Sequence, residues 1–543
     1  MRCRTTASAT SRCPRRRSPC GRRSRTLKRS ARESDRLRPT RRGRLRRPPS
    51  PFGGGIRITM DAKTQTPTAE APALTHRETL LVVGGVMLPV FMGSLDNTIL
   101  AGALPIMGRE LGEVHSLPWL ITAYLIANTA ITPLYGKISD IYGRRTTLTI
   151  ALCLHMLGSL TCLLAPNMVV LILGRVIQGL GSGGLTSTGM VILGDVASPK
   201  DRGRYYGYFS VTYTTAGGVG PALGGFIAEH LHWKMIFWIN IPLALIALGL
   251  ASILLRKLPR REKRHQLDFV GASLIMTASV AFMLAISMGG VRYGWTSPPI
   301  LALLAVAAIV GAGFIVRLMT AAEPLIPLSV LSHPVARGAI IANAFGWGSI
   351  VGLNIFLPMY LQTVVGMTAT YAGLSVLVLS VSLNISAGVT GMLLPRLPRY
   401  KVLPIVFMTF PIAATLTLGW QAQALTFWQF ELLLALTGIG FGALPPLAST
   451  VLQNSVPISQ FGSAVGTMQF SRNLFCTMLV AVFGAVILAG APVPEAAETG
   501  RQLLTNVSAD GFVRVFYVAA ASFTISLIAV FMIEERPLQT THT

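Results

Sequence analysis

From Leu80 onward the chain is written in apolar blocks of about 20 residues, the length that carries a helix across a hydrocarbon core, separated by polar turns. Eight blocks come first: Leu80–Leu104, Trp119–Ile138, Thr147–Leu164, Val169–Leu193, Tyr206–Ile227, Met235–Leu255, Phe269–Met288 and Ile300–Ile315. Six follow: Ala339–Leu361, Tyr371–Leu393, Val402–Trp420, Trp428–Leu452, Ala464–Leu488 and Val513–Ile533. None alternates apolar and polar positions as a membrane β-strand does, which excludes a barrel. The pattern predicts an all-α integral membrane protein with fourteen transmembrane helices. The turns orient it. With the N-terminus inside, the inside turns carry 17 Lys and Arg and the outside turns 5. Basic turns stay in the cytoplasm, so both termini are expected there.

Composition agrees. The 543 residues are 51% hydrophobic and 13% charged, with mean hydropathy +0.57. A soluble domain carries about 25% charged residues. Six cysteines are too few for a disulfide scaffold. The net charge of +26 would suggest a nucleic-acid partner, but residues 1–59 alone hold 20 Lys and Arg against 2 acids. The rest of the chain holds 27 against 19, so the basicity belongs to one segment and no nucleic-acid partner is expected. That segment has little to bury and is expected to be disordered. It reads as an organellar transit segment, a phosphate-binding arm, or the product of a start codon placed too early. The composition break at Met60 favours the last. Residues 60–79 form a polar cytoplasmic lead.

The two ends of the apolar region repeat. Gly179-Leu180-Gly181-Ser182-Gly183 in the fourth block recurs as Gly438-Ile439-Gly440-Phe441-Gly442 in the twelfth. Gly203, Gly207 and Gly225 recur as Gly462, Gly466 and Gly484 at the same offset of 259. Two six-helix halves, 80–255 and 339–533, then flank a basic loop and an inserted pair at 256–320, with a cytoplasmic tail at 534–543. Paired halves around a midplane cavity are a plan for alternating access.

Between the second and third blocks stands Gly136-Lys137-Ile138-Ser139-Asp140-Ile141-Tyr142-Gly143-Arg144-Arg145. Gly136 allows close helix approach and Gly143 a tight turn. Asp140 can accept hydrogen bonds from a helix N-terminus or from Arg144. This segment resembles the signature loop of the major facilitator superfamily. The resemblance implies a cytoplasmic latch made of Gly136, Asp140, Gly143, Arg144 and Arg145. The equivalent loop of the second half has Arg396 and Arg399, but Pro395 replaces the acid.

Further motifs extend the resemblance across Glu78 to Glu535. Arg175, Gln178 and Gly179 resemble the family's second motif, which implies a role in proton coupling. A charge inside an apolar helix costs about 2.5–3.5 kcal/mol on insertion scales, so a task is favoured over a snorkelling anchor. Gly207 with Gly220-Pro221-Ala222-Leu223-Gly224-Gly225 resembles the antiporter motif of helix five, although Ala216 stands where that pattern has glycine. Leu95-Asp96-Asn97-Thr98-Ile99 and the Trp233–Pro242 segment resemble fourteen-helix drug/proton antiporters. Asp96 lies about 12 Å and Arg175 about 9 Å below the outer boundary at 1.5 Å per residue, so the two are expected to pair.

Gly179, Gly181 and Gly184 spell GxGxxG inside a membrane helix with no preceding strand, which argues against a dinucleotide site. His230 and His232 read as solvated loop. No cofactor, no metal and no enzymatic site is expected. The expected function is proton-coupled export of small hydrophobic or amphipathic compounds across a bacterial-style inner membrane. The expected partners are that substrate, protons and the lipid bilayer, with a periplasmic adaptor left open. An exporter of a dedicated metabolite or siderophore is the alternative within transport. A membrane receptor or membrane-embedded enzyme is the alternative outside it.

Overall fold

Residues 76–111, 116–197, 202–257, 267–290, 293–367, 369–397, 399–421, 425–488 and 509–534 are described by a computed structural model of the chain. Residues 1–59, most of the polar lead and nearly all of the C-terminal tail lie outside them, so the expectations for those segments are not addressed.

The first group of helices is α1 (His76–Leu111), α2 (Leu117–Tyr142), α3 (Arg144–Leu163), α4 (Met168–Val196), α5 (Arg202–His230), α6 (Met235–Trp238) and α7 (Asn240–Leu254). Next come α8 (Phe269–Met288), α9 (Pro298–Thr320) and the short α10 (Leu328–Ser332). The last group is α11 (Pro334–Thr363), α12 (Ala369–Leu393), α13 (Val402–Gln421), α14 (Phe427–Gly442), α15 (Leu444–Ser455), α16 (Phe461–Leu488) and α17 (Ala509–Met532).

Every predicted block coincides with helix. Two are broken in the middle. Pro242 has no N–H for the Trp238 carbonyl, and α6 gives way to α7 at Ile239. Pro445 and Pro446 have no N–H for the Phe441 and Gly442 carbonyls, and α14 gives way to α15 at Ala443. Counting each broken pair as one, 12 helices among the described residues are long and apolar enough to cross a membrane. Two further long helices, α2 and α5, have 26 and 29 residues. Both put polar side chains into the interior of the bundle, where the bilayer does not have to accept them.

In the first group α1 packs on α5, α7 and α4, and α4 seats both α2 and α3. The α4 glycines make that possible. A Cβ on Gly179 or Gly183 would strike the α2 backbone at Tyr124 or Asn128, and one on Gly181 would strike α3 at His155. The GxGxxG spelling is therefore a packing face. In the last group α11 packs on α16 and α17, while α14 seats α12 and α13. Gly438 and Gly442 press on the α12 backbone and Gly440 on α13, so the repeated glycines hold equivalent contacts.

The two groups meet along two seams, α2 with α16 and α5 with α12. Each is closed by facing glycines. A Cβ on Gly466 would lie 3.2 Å from Gly136 Cα, and one on Gly207 would lie 3.2 Å from Gly388 Cα. Helix α8 packs against α2 and α16, with α9 outside it. Ile275, Leu318 and Phe470 form an apolar cluster there with Leu134 and Leu474. Asp268 caps α8 through Gly271 N at 3.0 Å and pairs with Arg317 of α9 at 3.0 Å.

Candidate functional site

The turn between α2 and α3 requires Gly143, whose φ of +87° and ψ of 159° lie where only glycine is comfortable. Holding another residue there costs about 1–3 kcal/mol. The turn brings Arg144 back onto α2, where Nη1 donates to Asp140 Oδ1 at 2.8 Å and to the Ser139 carbonyl at 2.6 Å. Arg144 Nε donates to Asp195 Oδ2 at the end of α4, at 2.7 Å. Asp140 also reaches across the seam to the N-terminus of α16. Its Oδ1 accepts from Gly462 N at 2.9 Å, and its Oδ2 accepts from Ser463 N at 2.8 Å and Ser463 Oγ at 2.9 Å. A carboxylate there satisfies free N–H groups and faces the positive end of the helix dipole. Gly136 lies one turn back against Gly462 and Gly466, and Arg145 is half-buried beside the turn. At the same end of the bundle Gln453 of α15 donates to Tyr206 Oη of α5 at 2.5 Å.

Deeper in the first group is a second polar cluster. Asp96 is 1% exposed and Arg175 fully buried. Arg175 Nη1 donates to Asp96 Oδ2 at 2.7 Å and to Gln178 Oε1 at 2.7 Å. Gln178 Nε2 donates to Asp96 Oδ1 at 2.8 Å and to Ser159 Oγ at 2.8 Å. Asn240, the first residue of α7, donates to Asp96 Oδ1 at 2.8 Å. Three donors from α4 and α7 therefore converge on the two oxygens of Asp96. The Arg175 guanidinium lies 4.2 Å from the centre of the Tyr124 ring.

Tyr124 forms part of the wall of a cavity of about 550 Å³. Asn97, next to Asp96, lines it too, with polar residues of α2, Tyr213 of α5, Trp347 of α11 and Arg472 of α16. On α2 the lining runs from Ile121 to Thr132, so it stops short of the Asp140 end. The cavity thus lies between the two helix groups, beyond the seam that Asp140 ties.

The helix-five motif presses on α1 just past Asp96. A Cβ on Gly220 would strike Thr98 and one on Gly224 would strike the Ile99 carbonyl. Thr98 Oγ1 donates to the carbonyl of Ala216 at 2.9 Å, so the residue that departs from the glycine pattern holds α1 through its backbone. Gly225 is half-buried, and the Pro221 side chain lies outside the described residues. Gly224→Val should overpack this contact by about 1–3 kcal/mol and reduce transport. Gly217→Ala, which meets nothing within 4 Å, should leave both stability and transport at the unmodified level. Thermal unfolding and export assays of the two variants check this.

Asn240, Asp195 and Arg472 carried no role in the sequence reading. Asn240 stands inside a quoted motif, and its polarity in an apolar block was a usable sign. Arg472 is a charge in the thirteenth block, which the rule applied to Arg175 would also have singled out.

The Major Facilitator Superfamily profile matches residues 86–480. The multidrug transporter protein MdtP of Bacillus subtilis (strain 168) is 31% identical over 415 residues, covering 75% of each chain. The efflux pump dotC of Dothistroma septosporum is 31% identical over 414 residues, covering 74% of this chain and 70% of its own. Among solved structures, the proton:xylose symporter XylE has a TM-score of 0.58 at 15% identity, covering 83% of this chain and 95% of its own. A bacterial homologue of the iron transporter ferroportin in its outward-facing state has a TM-score of 0.60 at 13% identity, covering 84% and 98%. With a profile match across most of its length, the same helical architecture and relatives at this identity, the chain is a multi-pass membrane protein that belongs to the major facilitator superfamily.

Proposed function

We propose that the chain is a proton-coupled antiporter that exports hydrophobic or amphipathic compounds by alternating access. It would cross the inner membrane fourteen times with both termini in the cytoplasm. In this reading the halves 80–255 and 339–533 rock about the cavity, with the 256–320 insert riding beside them. Asp140, Arg144 and the facing glycines latch the cytoplasmic side. The relatives named as multidrug transporter and efflux pump support export, and the cavity has room for a drug-sized molecule.

One observation carries the coupling. Asp96 holds three donors on two oxygens, out of water, one residue from the cavity lining. A proton arriving on Asp96 removes the charge that Arg175 pairs with and weakens all three of these bonds, which loosens α1 from α4 and α7. Substrate entering past Asn97 and Tyr124 meets the same elements.

Proteoliposomes holding the full chain test this. With an acidic lumen, amphipathic dyes should accumulate inside while protons leave, and collapsing the proton gradient should stop both. Uphill accumulation that survives the collapse would refute proton coupling. Accumulation confined to one metabolite or siderophore across a broad panel would favour the dedicated exporter.

A further inference from the structure

Arg472 sits on α16 about 16 Å from the start of that helix, well inside the span at 1.5 Å per residue. A charge at that depth is costly unless it faces water or a partner. Arg472 makes no ion pair among the described residues. Its Nε and Nη2 share the Asn473 Oδ1 at 3.2 and 3.1 Å, which leaves the positive charge uncompensated. The guanidinium lies 5.5 Å from the centre of the Trp347 ring, an arrangement that fixes its direction.

Arg472 lines the large cavity and a smaller one that adjoins it along Tyr213, Trp347 and Gln469. Among the described residues it is the single formally charged one in either lining. No Asp or Glu faces it there among the described residues. One turn back on the same face, Gln469 is 2% exposed, and its Nε2 is buried with no hydrogen-bond partner. A buried donor left unmatched costs about 1–3 kcal/mol. Asp96 and Arg175, which lies against Tyr124 of the cavity wall, neutralise each other.

We infer that the preferred substrate is an amphipathic organic anion, its carboxylate, sulfonate or phosphate taken by Arg472 and Gln469 and its apolar body by Trp347 and the cavity wall. This inference rests on the exporter reading and deepens it. A cation of the same size would meet an unopposed positive charge. The anionic head could belong to a free solute or to a lipid.

The test is equilibrium binding to the full chain in phosphatidylcholine nanodiscs, with empty nanodiscs subtracted. Three probes share one ring system: pyrenebutyrate, its neutral amide and a pyrenyl alkylammonium. The carboxylate should bind about tenfold more tightly than the amide, the difference expected of one charged hydrogen bond, and the cation should bind most weakly. Arg472→Gln should bring the carboxylate down to the amide, Arg472→Lys should keep part of the preference, and Gln469→Leu should weaken the carboxylate alone. Adding phosphatidylglycerol should leave pyrenebutyrate binding unchanged if the anion is a free solute and weaken it if a lipid headgroup occupies the site. A cation preference, or a carboxylate preference that survives Arg472→Gln, overturns the anion assignment and leaves the exporter reading standing. Saturable binding by none of the three overturns both.

Discussion

Replacing Asp96 with Asn should end proton-driven accumulation while leaving downhill exchange of the same dye measurable. The geometry explains the size of the effect. An amide nitrogen at the Oδ2 position would face the Arg175 Nη1 donor, and one at Oδ1 would face both Gln178 Nε2 and Asn240 Nδ2. Either choice sets donor against donor. It also leaves Arg175 buried without its counter-charge, a loss that costs about 3–5 kcal/mol when one partner of a buried pair is removed. The single variant should therefore be less stable as well as uncoupled. The double variant Asp96→Asn, Arg175→Gln separates the two effects. Thermal unfolding should recover toward the unmodified protein, and coupling should not. Recovery of uphill transport in the double variant would reduce the pair to a structural brace and place the coupling site elsewhere.

Asp140→Asn should shift the bundle away from the arrangement described here. The substitution keeps the size of the side chain and removes the charge that holds two backbone N–H groups of α16 and the Arg144 guanidinium. Hydrogen bonds to a charged group contribute about 1.5–3 kcal/mol each, enough to move a two-state equilibrium about tenfold or more. Cys476 lines the cavity and serves as a reporter once the other cysteines are replaced. A membrane-impermeant maleimide should label it more slowly from the outer face and faster from the cytoplasmic face in the Asp140→Asn background. Protein in the membrane should be unchanged. Equal labelling rates and equal export in both backgrounds would leave the loop with no role beyond topology.

Much of this site was legible because depth in a membrane helix can be counted. Asp96 and Arg175 lie on neighbouring helices that run in opposite directions, and the residues between each and its helix end place them at one level. Asn240 escaped because its side chain is aimed by the break between α6 and α7, which the apolar pattern runs straight through. Asp195 escaped because its meeting with Arg144 spans 51 positions of sequence, and local spacing says nothing about such a pair. The repeated glycines were legible as a repeat. Their partners were not, because Gly136 with Gly466 and Gly207 with Gly388 are contacts between the helix groups. Arg472 was overlooked because its block stays apolar on average.

The α8–α9 pair covers one seam and leaves the other bare. Helix α9 is 11% buried over its most apolar window, so nearly all of it faces outward. Beneath it, α8 shields the joint between α2 and α16. At the other joint, Tyr208 and Val211 of α5 and Val381 and Ile385 of α12 are all exposed apolar side chains. A bundle whose sequence repeats twice is thus single-sided toward its solvent. In a bilayer, acyl chains would press directly on one joint and reach its counterpart through α8 and α9. A change in bilayer thickness or lateral pressure would load the two joints unequally, and the α5–α12 joint would yield first.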